Sequence, residues 1–256
     1  MTKRTQMTRA SKLDEMRTSF GSEKVSMDER RSRVTALFDR IAPHYDLMND
    51  LMSFGLHRLW KSVMVRETLK VLARREGPLV DLAGGTGDIA LAVKTADPLR
   101  HVIVADASSG MLAQARERGG ERLGYIHAPA EDLPLEDGAA AAVTLAFGLR
   151  NMTDPTRALF EVARILPQGG ALVLLEFSEP DRWFAPLYAL HARFVIPALG
   201  ALVARDKGAY QYLVESIEKF PNREDISREL ALAGLQLVRE RAFMFGIARL
   251  HIAVKP

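Results

Sequence analysis

Cysteine is missing from all 256 residues. That absence excludes disulfides, Cys-held zinc and thiol nucleophiles, and leaves no redox sign of secretion. No His/Asp/Glu spacing suggests a metal site either. A clean apolar run long enough to span a bilayer is also lacking. Trp183 to Ala204 comes nearest, but Pro186, His191, Arg193 and Pro197 interrupt it, and a spanning helix needs ~20 apolar residues without central charges. Two readings of that stretch stay open: a buried helix, or a helical lid over an apolar substrate. Charge of one sign is scarce as well. The net charge is only +3. Residues 1–33 hold nine Lys/Arg against five Asp/Glu, and the remainder holds 26 against 27. The basic excess therefore belongs to one end of the chain, which argues against a nucleic-acid face. Its simplest reading is a solvated, mobile arm; an anionic membrane or acidic partner is the other. Asp14-Glu15 argue against a mitochondrial targeting segment, which would be acid-poor.

What is present is a composition 48% hydrophobic, enough for one large domain with its own core. Its organising stretch is Leu79-Val80-Asp81-Leu82-Ala83-Gly84-Gly85-Thr86-Gly87-Asp88-Ile89-Ala90. Two apolar residues and an acid lead into three glycines and then a helical pattern. That order reads as strand, tight loop and helix start. Glycine lets backbone approach a ligand, and the helix behind aims free N–H groups at it. A second apolar strand, His101 to Asp106, ends in an acid about 20 residues after the loop, the spacing of an acid that grips a ribose hydroxyl. Two ligand classes fit. Gly85-Thr86-Gly87-Asp88-Ile89-Ala90 reads G-x-G-x-x-A, the dinucleotide fingerprint. It also reads as the first motif of an S-adenosylmethionine (SAM) methyltransferase, with Asp81 as the acid before the glycines.

The rest of the chain narrows the choice. Ser26-Met27-Asp28-Glu29 is a capping box. Val34, Leu37, Phe38 and Ile41 follow at helical spacing until Pro43, and a second helix runs from about Leu56 to Arg74. From Gly77 strands alternate with helices: strands at 79–83, 101–106, 124–128, 141–147 and 170–177, helices at 88–96, 109–118 and 155–166. Such alternation implies a parallel sheet. The end differs, with strands at 235–243 and 247–254 forming a hairpin around Phe245-Gly246. The expected fold is therefore α/β: a Rossmann-like, mostly parallel sheet closed by a C-terminal antiparallel hairpin, with N-terminal helices and a helical insertion before the hairpin. A doubly wound NAD sheet would continue as βαβ, and no Tyr-x-x-x-Lys pair exists in the chain. The expected organisation is a tail over 1–33, helices over 34–76 closing on the site, and a cofactor domain over 77–256 with its insertion at 179–234.

Several segments together resemble the ubiquinone/menaquinone biosynthesis C-methyltransferases (UbiE type), a class I SAM-dependent family. They are Phe38, Ile41-Ala42, Tyr45-Asp46, Met48-Asn49-Asp50, Met52-Ser53, Gly55, His57-Arg58 and Trp60-Lys61; the glycine loop; Ala146-Phe147-Gly148-Leu149-Arg150-Asn151-Met152-Thr153-Asp154; Leu175-Glu176-Phe177-Ser178; and Tyr212-Leu213, Ser216-Ile217 and Phe220-Pro221. The resemblance implies SAM as cofactor, S-adenosylhomocysteine as product and no metal. It implies cofactor contacts at Asp81, Gly84, Gly85, Thr86, Gly87, Asp106, Ala107, Pro129, Ala130 and Ala146, with Tyr45 and Lys61 closing from the N-terminal helices. The family usually has Asn where Pro129 stands and often Ser where Ala146 stands. Both changes remove side-chain hydrogen bonds, so contact there falls to backbone groups. Ala242-Phe243-Met244-Phe245-Gly246 also departs from the family pattern.

The implied reaction is C-methylation of a polyprenyl quinol. A ring carbon attacks a sulfonium methyl in line, and it is nucleophilic only when an adjacent hydroxyl is ionised, so the substrate should be the reduced quinol. The resemblance makes Arg150 and Asn151 catalytic. Arg stays protonated, so Arg150 reads as stabilising the quinolate or orienting a water, with Asn151 orienting the same water or the substrate. His57, Arg58, Phe147, Tyr212 and Phe243 are expected toward the substrate. Expected partners are a membrane surface, other quinone-biosynthesis enzymes and a second copy of the chain, with no nucleic acid. The expected location is the cytoplasmic face of the inner membrane, or its matrix face in a eukaryote. Three other readings remain: an oxidoreductase, a SAM methyltransferase for another lipid or aromatic metabolite, and a non-catalytic scaffold.

Overall fold

The structure, a computed structural model, describes residues 12–53, 55–190 and 207–256. A short helix α1 (Lys12–Met16) and a two-strand ribbon, β1 (Ser19–Phe20) with β2 (Glu23–Lys24), open the described chain. Helix α2 (Met27–Ile41) starts at Ser26, whose hydroxyl accepts the Glu29 N–H at 3.2 Å. Helices α3 (Tyr45–Ser53) and α4 (Leu56–Leu72) follow, and α4 packs on the sheet.

The expected free tail over 1–33 is corrected for its described part. Leu13 and Met16 are buried in the main core, and Arg30 is buried on α2. Burying each apolar side chain contributes about 1.5–3 kcal/mol, which holds so short a helix in place. Polar neighbours hide the two anchors from any periodicity search.

From residue 77 the chain alternates as expected: β3 (Leu79–Leu82), α5 (Asp88–Ala96), β4 (Val102–Asp106), α6 (Ser109–Gly119), β5 (Gly124–His127), β6 (Ala142–Ala146), α7 (Pro155–Ile165) and β7 (Ala171–Phe177). After the insertion, with α8 (Ala185–Leu190), α9 (Lys207–Glu218) and α10 (Arg223–Leu232), come β8 (Gln236–Phe243) and β9 (Ala248–Val254). The seven-stranded sheet runs β5-β4-β3-β6-β7-β9-β8. Strands β3 to β7 are parallel, and β9 lies antiparallel between β7 and β8. Helices cover both faces of the central strands, so those strands are buried along their length. One core layer holds Leu82, Leu145 and Leu174 against α7 and α10; the other holds Val104, Val173 and Leu175 against α4, α5 and α6.

The order matters for function. The chain leaves central β3 for β4 and β5 on one side, then returns to β6 and β7 on the other. That reversal opens a crevice at the carboxyl ends of the strands. Of the apolar 183–204 stretch, residues 191–204 lie outside the described residues. Its described part shows Trp183 66%, Leu187 60% and Leu190 56% exposed, so these side chains are not core.

Candidate active site

The carboxyl edge of the sheet is shaped by two strained turns. Ala83 after β3 and Phe147 after β6 hold φ of 49° and 56°, a left-handed conformation rare outside glycine. Such residues cost of order 1–3 kcal/mol each and gather at functional sites. The turns also touch: a Cβ on Gly148 would sit 2.7 Å from the Ala83 methyl, so only glycine fits there. Gly85 (φ 56°) and Gly87 (φ 81°) complete the loop into α5.

Two acids anchor this edge and do different work. Asp106 accepts the Gly85 N–H at 2.9 Å through Oδ2 and the Ser108 N–H at 2.8 Å through Oδ1. A carboxylate oxygen has two acceptor sites, so the Asp106 carboxylate keeps acceptor capacity that a ligand hydroxyl can use. Burial raises the Asp106 pKa, and the backbone N–H groups of Ser108, Gly85 and Ala107 oppose that rise. Asp81 is fully enclosed. It accepts the Thr144 hydroxyl at 2.7 Å and the Ala90 N–H at 3.1 Å. Burial pushes its pKa up to about 7 against both hydrogen bonds. Asp81, expected at the cofactor, therefore braces the loop from behind and is not part of the cavity wall. Gly84 shares that role, since a Cβ there would lie 2.9 Å from Asp81 Oδ2 and Val104 Cγ1.

Between these features lies a cavity of about 350 Å³. Its wall includes Gly85, Asp106, Ala107, Pro129, Ala130, Ala146, Phe147, Asn151 and Tyr45, which unites nearly half of the residues expected at the site. Val34, Thr35 and Phe38 of α2 close it from above. Asp39 locks that lid to the sheet edge, accepting the Ser108 hydroxyl at 2.6 Å and the Gly110 N–H at 2.9 Å. Asp46 does the same for α3, accepting the Thr86 hydroxyl at 3.2 Å and pairing with Arg118 at 3.1 Å. Thr86 thus ties the glycine loop to the N-terminal helices, outside the cavity wall.

Lys61, expected at a cofactor carboxylate, instead pairs with Asp88 at 3.1 Å, and Arg118 meets the same carboxylate at 2.6 Å. Burial would raise Asp88, but the two cations outweigh it and hold its pKa below the ordinary carboxylate range. His57 and Arg58 are likewise engaged away from the cavity. The His57 ring sits 2.8 Å from Asp50, and Arg58 grips Asp50 through two bonds of 2.6 and 2.7 Å. Burial lowers the His57 pKa despite that hydrogen bond. Phe243 packs on Trp60 with ring centroids 6.2 Å apart, inside the core layer. These three residues are not brought to the cavity wall. Tyr212 lies beneath the wall, donating to Asn151 Oδ1 at 3.1 Å.

Arg150 and Asn151 occupy the 3-10 turn Leu149–Asn151 that follows β6. Asn151 faces the cavity. Arg150 is 3% exposed and lies behind it. Its Nη1 donates to Glu176 Oε1 at 2.7 Å and to the Phe147 carbonyl at 2.6 Å, and its guanidinium covers the Phe177 ring at 5.0 Å. Asn151 Nδ2 reaches the same carbonyl at 3.2 Å. Both residues therefore converge on the strained Phe147. Glu176, Asp39 and Arg30 were missed as individual site residues. An acid inside the apolar strand 170–177 was a usable signal for Glu176; Asp39 and Arg30 sit among many surface charges and carry none.

SAM fits these residues. The cavity is within the ~300–1,000 Å³ range of ligand sites, Asp106 has acceptor capacity for a diol, and Gly85 leaves open the space a side chain would fill toward Met111 and Tyr45. Among the described residues no group of three or more His, Asp or Glu could hold a metal ion.

Comparison with known proteins agrees with this geometry. Residues 24–255 match the model of the ubiE/COQ5 methyltransferase family. The chain is 43% identical to the ubiquinone/menaquinone biosynthesis C-methyltransferase UbiE of Rubrivivax gelatinosus, covering 93% of this chain and 92% of the relative. It is 38% identical to the mitochondrial 2-methoxy-6-polyprenyl-1,4-benzoquinol methylase of Caenorhabditis elegans, covering 94% and 86%. In fold it is similar to a SAM-dependent methyltransferase from Thermotoga maritima, with a TM-score of 0.60, 18% identity, and coverage of 86% and 99%. The CurJ carbon methyltransferase gives a TM-score of 0.56 at 18% identity, covering 76% and 54%. Asp106, the crevice and the Arg150-Asn151 turn thus sit in a sequence that matches one family along nearly its whole length: the chain belongs to the ubiE/COQ5 methyltransferase family.

Proposed function

We propose that this chain transfers the methyl group of SAM to a ring carbon of a reduced polyprenyl quinol. The observation that carries the reading is Asn151 in the cavity wall beside the Asp106 loop, in a chain whose relatives are named for quinone biosynthesis. Bound SAM supplies an electrophilic methyl on a sulfonium. The chain's own residues do the rest. Asp106 holds the ribose hydroxyls with its remaining acceptor capacity. Ala128, Pro129 and Ala130 give the adenine an apolar slot, and Pro129 offers no N–H to it. Phe38 and Tyr45 exclude water from above.

At the quinol end Asn151 orients the reacting hydroxyl or the water beside it. The hydroxyl gives its proton to that water and electron density moves onto the ring carbon; the new C–C bond forms as the sulfonium S–CH3 bond breaks with its electron pair left on sulfur, giving S-adenosylhomocysteine; the ring C–H proton then leaves and the oxygen is reprotonated, which restores the aromatic quinol and releases one proton to water overall. The charge of Arg150, fixed by Glu176, lowers the energy of the phenolate from behind the wall. Nε of Arg150 is buried without a hydrogen-bond partner.

The polyprenyl tail needs an apolar exit. Trp183, Leu187 and Phe245 are exposed near the insertion, with the Trp183 and Phe245 rings 4.7 Å apart. That surface supports contact with the membrane holding the substrate. No helix among the described residues is long and apolar enough to cross a membrane, so the contact proposed is peripheral. The test is anaerobic incubation with labelled SAM and two reduced quinols, a demethylmenaquinol and a 6-methoxy benzoquinol. Label in either product supports the reading and identifies the ring; SAM binding with neither labelled overturns the substrate.

A further inference from the structure

Arg30 is a buried cation with no carboxylate partner among the described residues. It is 2% exposed, and among the described residues it forms no ion pair. Its guanidinium gives its protons to main-chain oxygens: Nη2 to the Arg150 carbonyl at 2.8 Å, Nε and Nη2 to the Met152 carbonyl at 3.2 Å, and Nη1 to the Ser19 carbonyl. Two of these acceptors bracket Asn151. One side chain from α2 therefore spans 120 residues of sequence to grip the turn that carries Arg150 and Asn151.

A second side chain grips the same turn from α9. Tyr212 donates its hydroxyl to Asn151 Oδ1 at 3.1 Å, which leaves Nδ2 for the Phe147 carbonyl. Its ring is stacked on Phe20 of β1, centroids 4.4 Å apart. Burial raises the Tyr212 pKa, and the nearby Arg30 charge opposes that rise. The ribbon, α2 and α9 thus meet at one polar junction under the cavity wall. A buried guanidinium is costly to desolvate, and an apolar residue of similar volume would often hold the helices at least as well. What an apolar residue cannot do is fix two carbonyls and an amide in one orientation.

We propose that Arg30 and Tyr212 are positioning residues for methyl transfer: Arg30 fixes the backbone of the Arg150–Met152 turn, and Tyr212 fixes the Asn151 amide. Neither touches the reacting atoms. The role rests on the function proposed above, because it presumes that Asn151 faces the substrate.

The experiment uses the full chain with two conservative variants, Arg30→Lys and Tyr212→Phe. Lysine keeps the charge but not the planar fork; phenylalanine keeps the ring stack but not the hydroxyl. Hydrogen–deuterium exchange of residues 147–153 is read beside exchange of residues 79–106, followed by kcat and KM for SAM on the reduced quinol. Losing one or two hydrogen bonds at about 1 kcal/mol each should raise exchange at 147–153 by ~5-fold or more in Arg30→Lys and leave 79–106 unchanged. In Tyr212→Phe, kcat should fall ~10-fold with KM for SAM within ~2-fold, since a misaimed amide acts on the chemical step. Unchanged exchange in Arg30→Lys, or a rise spread evenly over the chain, overturns the Arg30 clamp. Unchanged kcat in Tyr212→Phe overturns the Tyr212 role. If the unaltered chain binds SAM but methylates no quinol, the proposed function fails while the exchange pattern still decides the clamp.

Discussion

Replacing Glu176 by glutamine should cost the protein several kcal/mol although it changes one oxygen to an NH2. Glu176 is 1% exposed and meets the 3% exposed Arg150 at 2.7 Å. Removing one partner of a buried pair leaves an uncompensated buried charge, which costs about 3–5 kcal/mol. A chain of this size loses ~2–4 °C of Tm per kcal/mol, so Glu176→Gln should melt roughly 6–20 °C lower. Glutamine can keep its carbonyl oxygen on Arg150, which favours the lower half of that range. The decisive comparison is a double-mutant cycle with Arg150→Met. Removing both charges should recover much of the loss, giving a coupling energy of ~2 kcal/mol or more. Thermal melts at fixed pH and SAM concentration supply the four values. A coupling below ~0.5 kcal/mol would refute the reasoning, because a desolvated pair cannot be additive.

Other consequences follow from the same geometry. Asp106→Ala removes the acceptor for a cofactor diol; at about 1.5–3 kcal/mol for hydrogen bonds to a charged group, calorimetry should find S-adenosylhomocysteine binding ~10–150-fold weaker, and unchanged affinity would refute the ribose assignment. Gly148→Ala drives a methyl group to 2.7 Å from Ala83 and 2.9 Å from Leu145, so denaturant melts should show about 1–3 kcal/mol of lost stability. Asp81, with its pKa raised to about 7 by burial, binds a proton in the folded state that the unfolded chain has released above ~3.9. The folded state is therefore favoured at low pH by this group, and stability should fall by up to about 4 kcal/mol as pH rises from ~4 to ~7. Asp81→Asn should flatten that part of the pH profile in melts taken from pH 5 to 8, and an equally steep profile in the variant would contradict the assignment.

Much of the fold was legible because its signals are local. Short apolar runs alternating with helical patterns mark β3 to β7 and their helices, and Phe245-Gly246 marks the closing turn. The glycine loop and Asp106 are legible for the same reason, being set by backbone needs within a few residues. What sequence could not show is pairing across distance. Lys61 and Asp88 are 27 residues apart, and Arg150 and Glu176 are 26 apart; nothing in the string says which acid each cation meets. The cations expected to face ligands were absorbed by acids of the chain itself. The direction of Asp81 was hidden too, since a strand-end acid can face the crevice or the core. Leu13, Met16 and Arg30 failed in the other direction. They lie in polar surroundings that read as a solvated arm, and burial by distant elements overrides that local signal.

The central claim is that a quinol hydroxyl must ionise before its ring carbon can accept the methyl group. The most direct measurement supplies one polyprenyl ring compound in reduced and in oxidised form, with SAM carrying a ¹³C methyl, and locates the label by NMR. The account predicts a methyl bonded to a ring carbon from the quinol and no transfer to the quinone. Label on a ring oxygen, or equal transfer to the oxidised form, would contradict it.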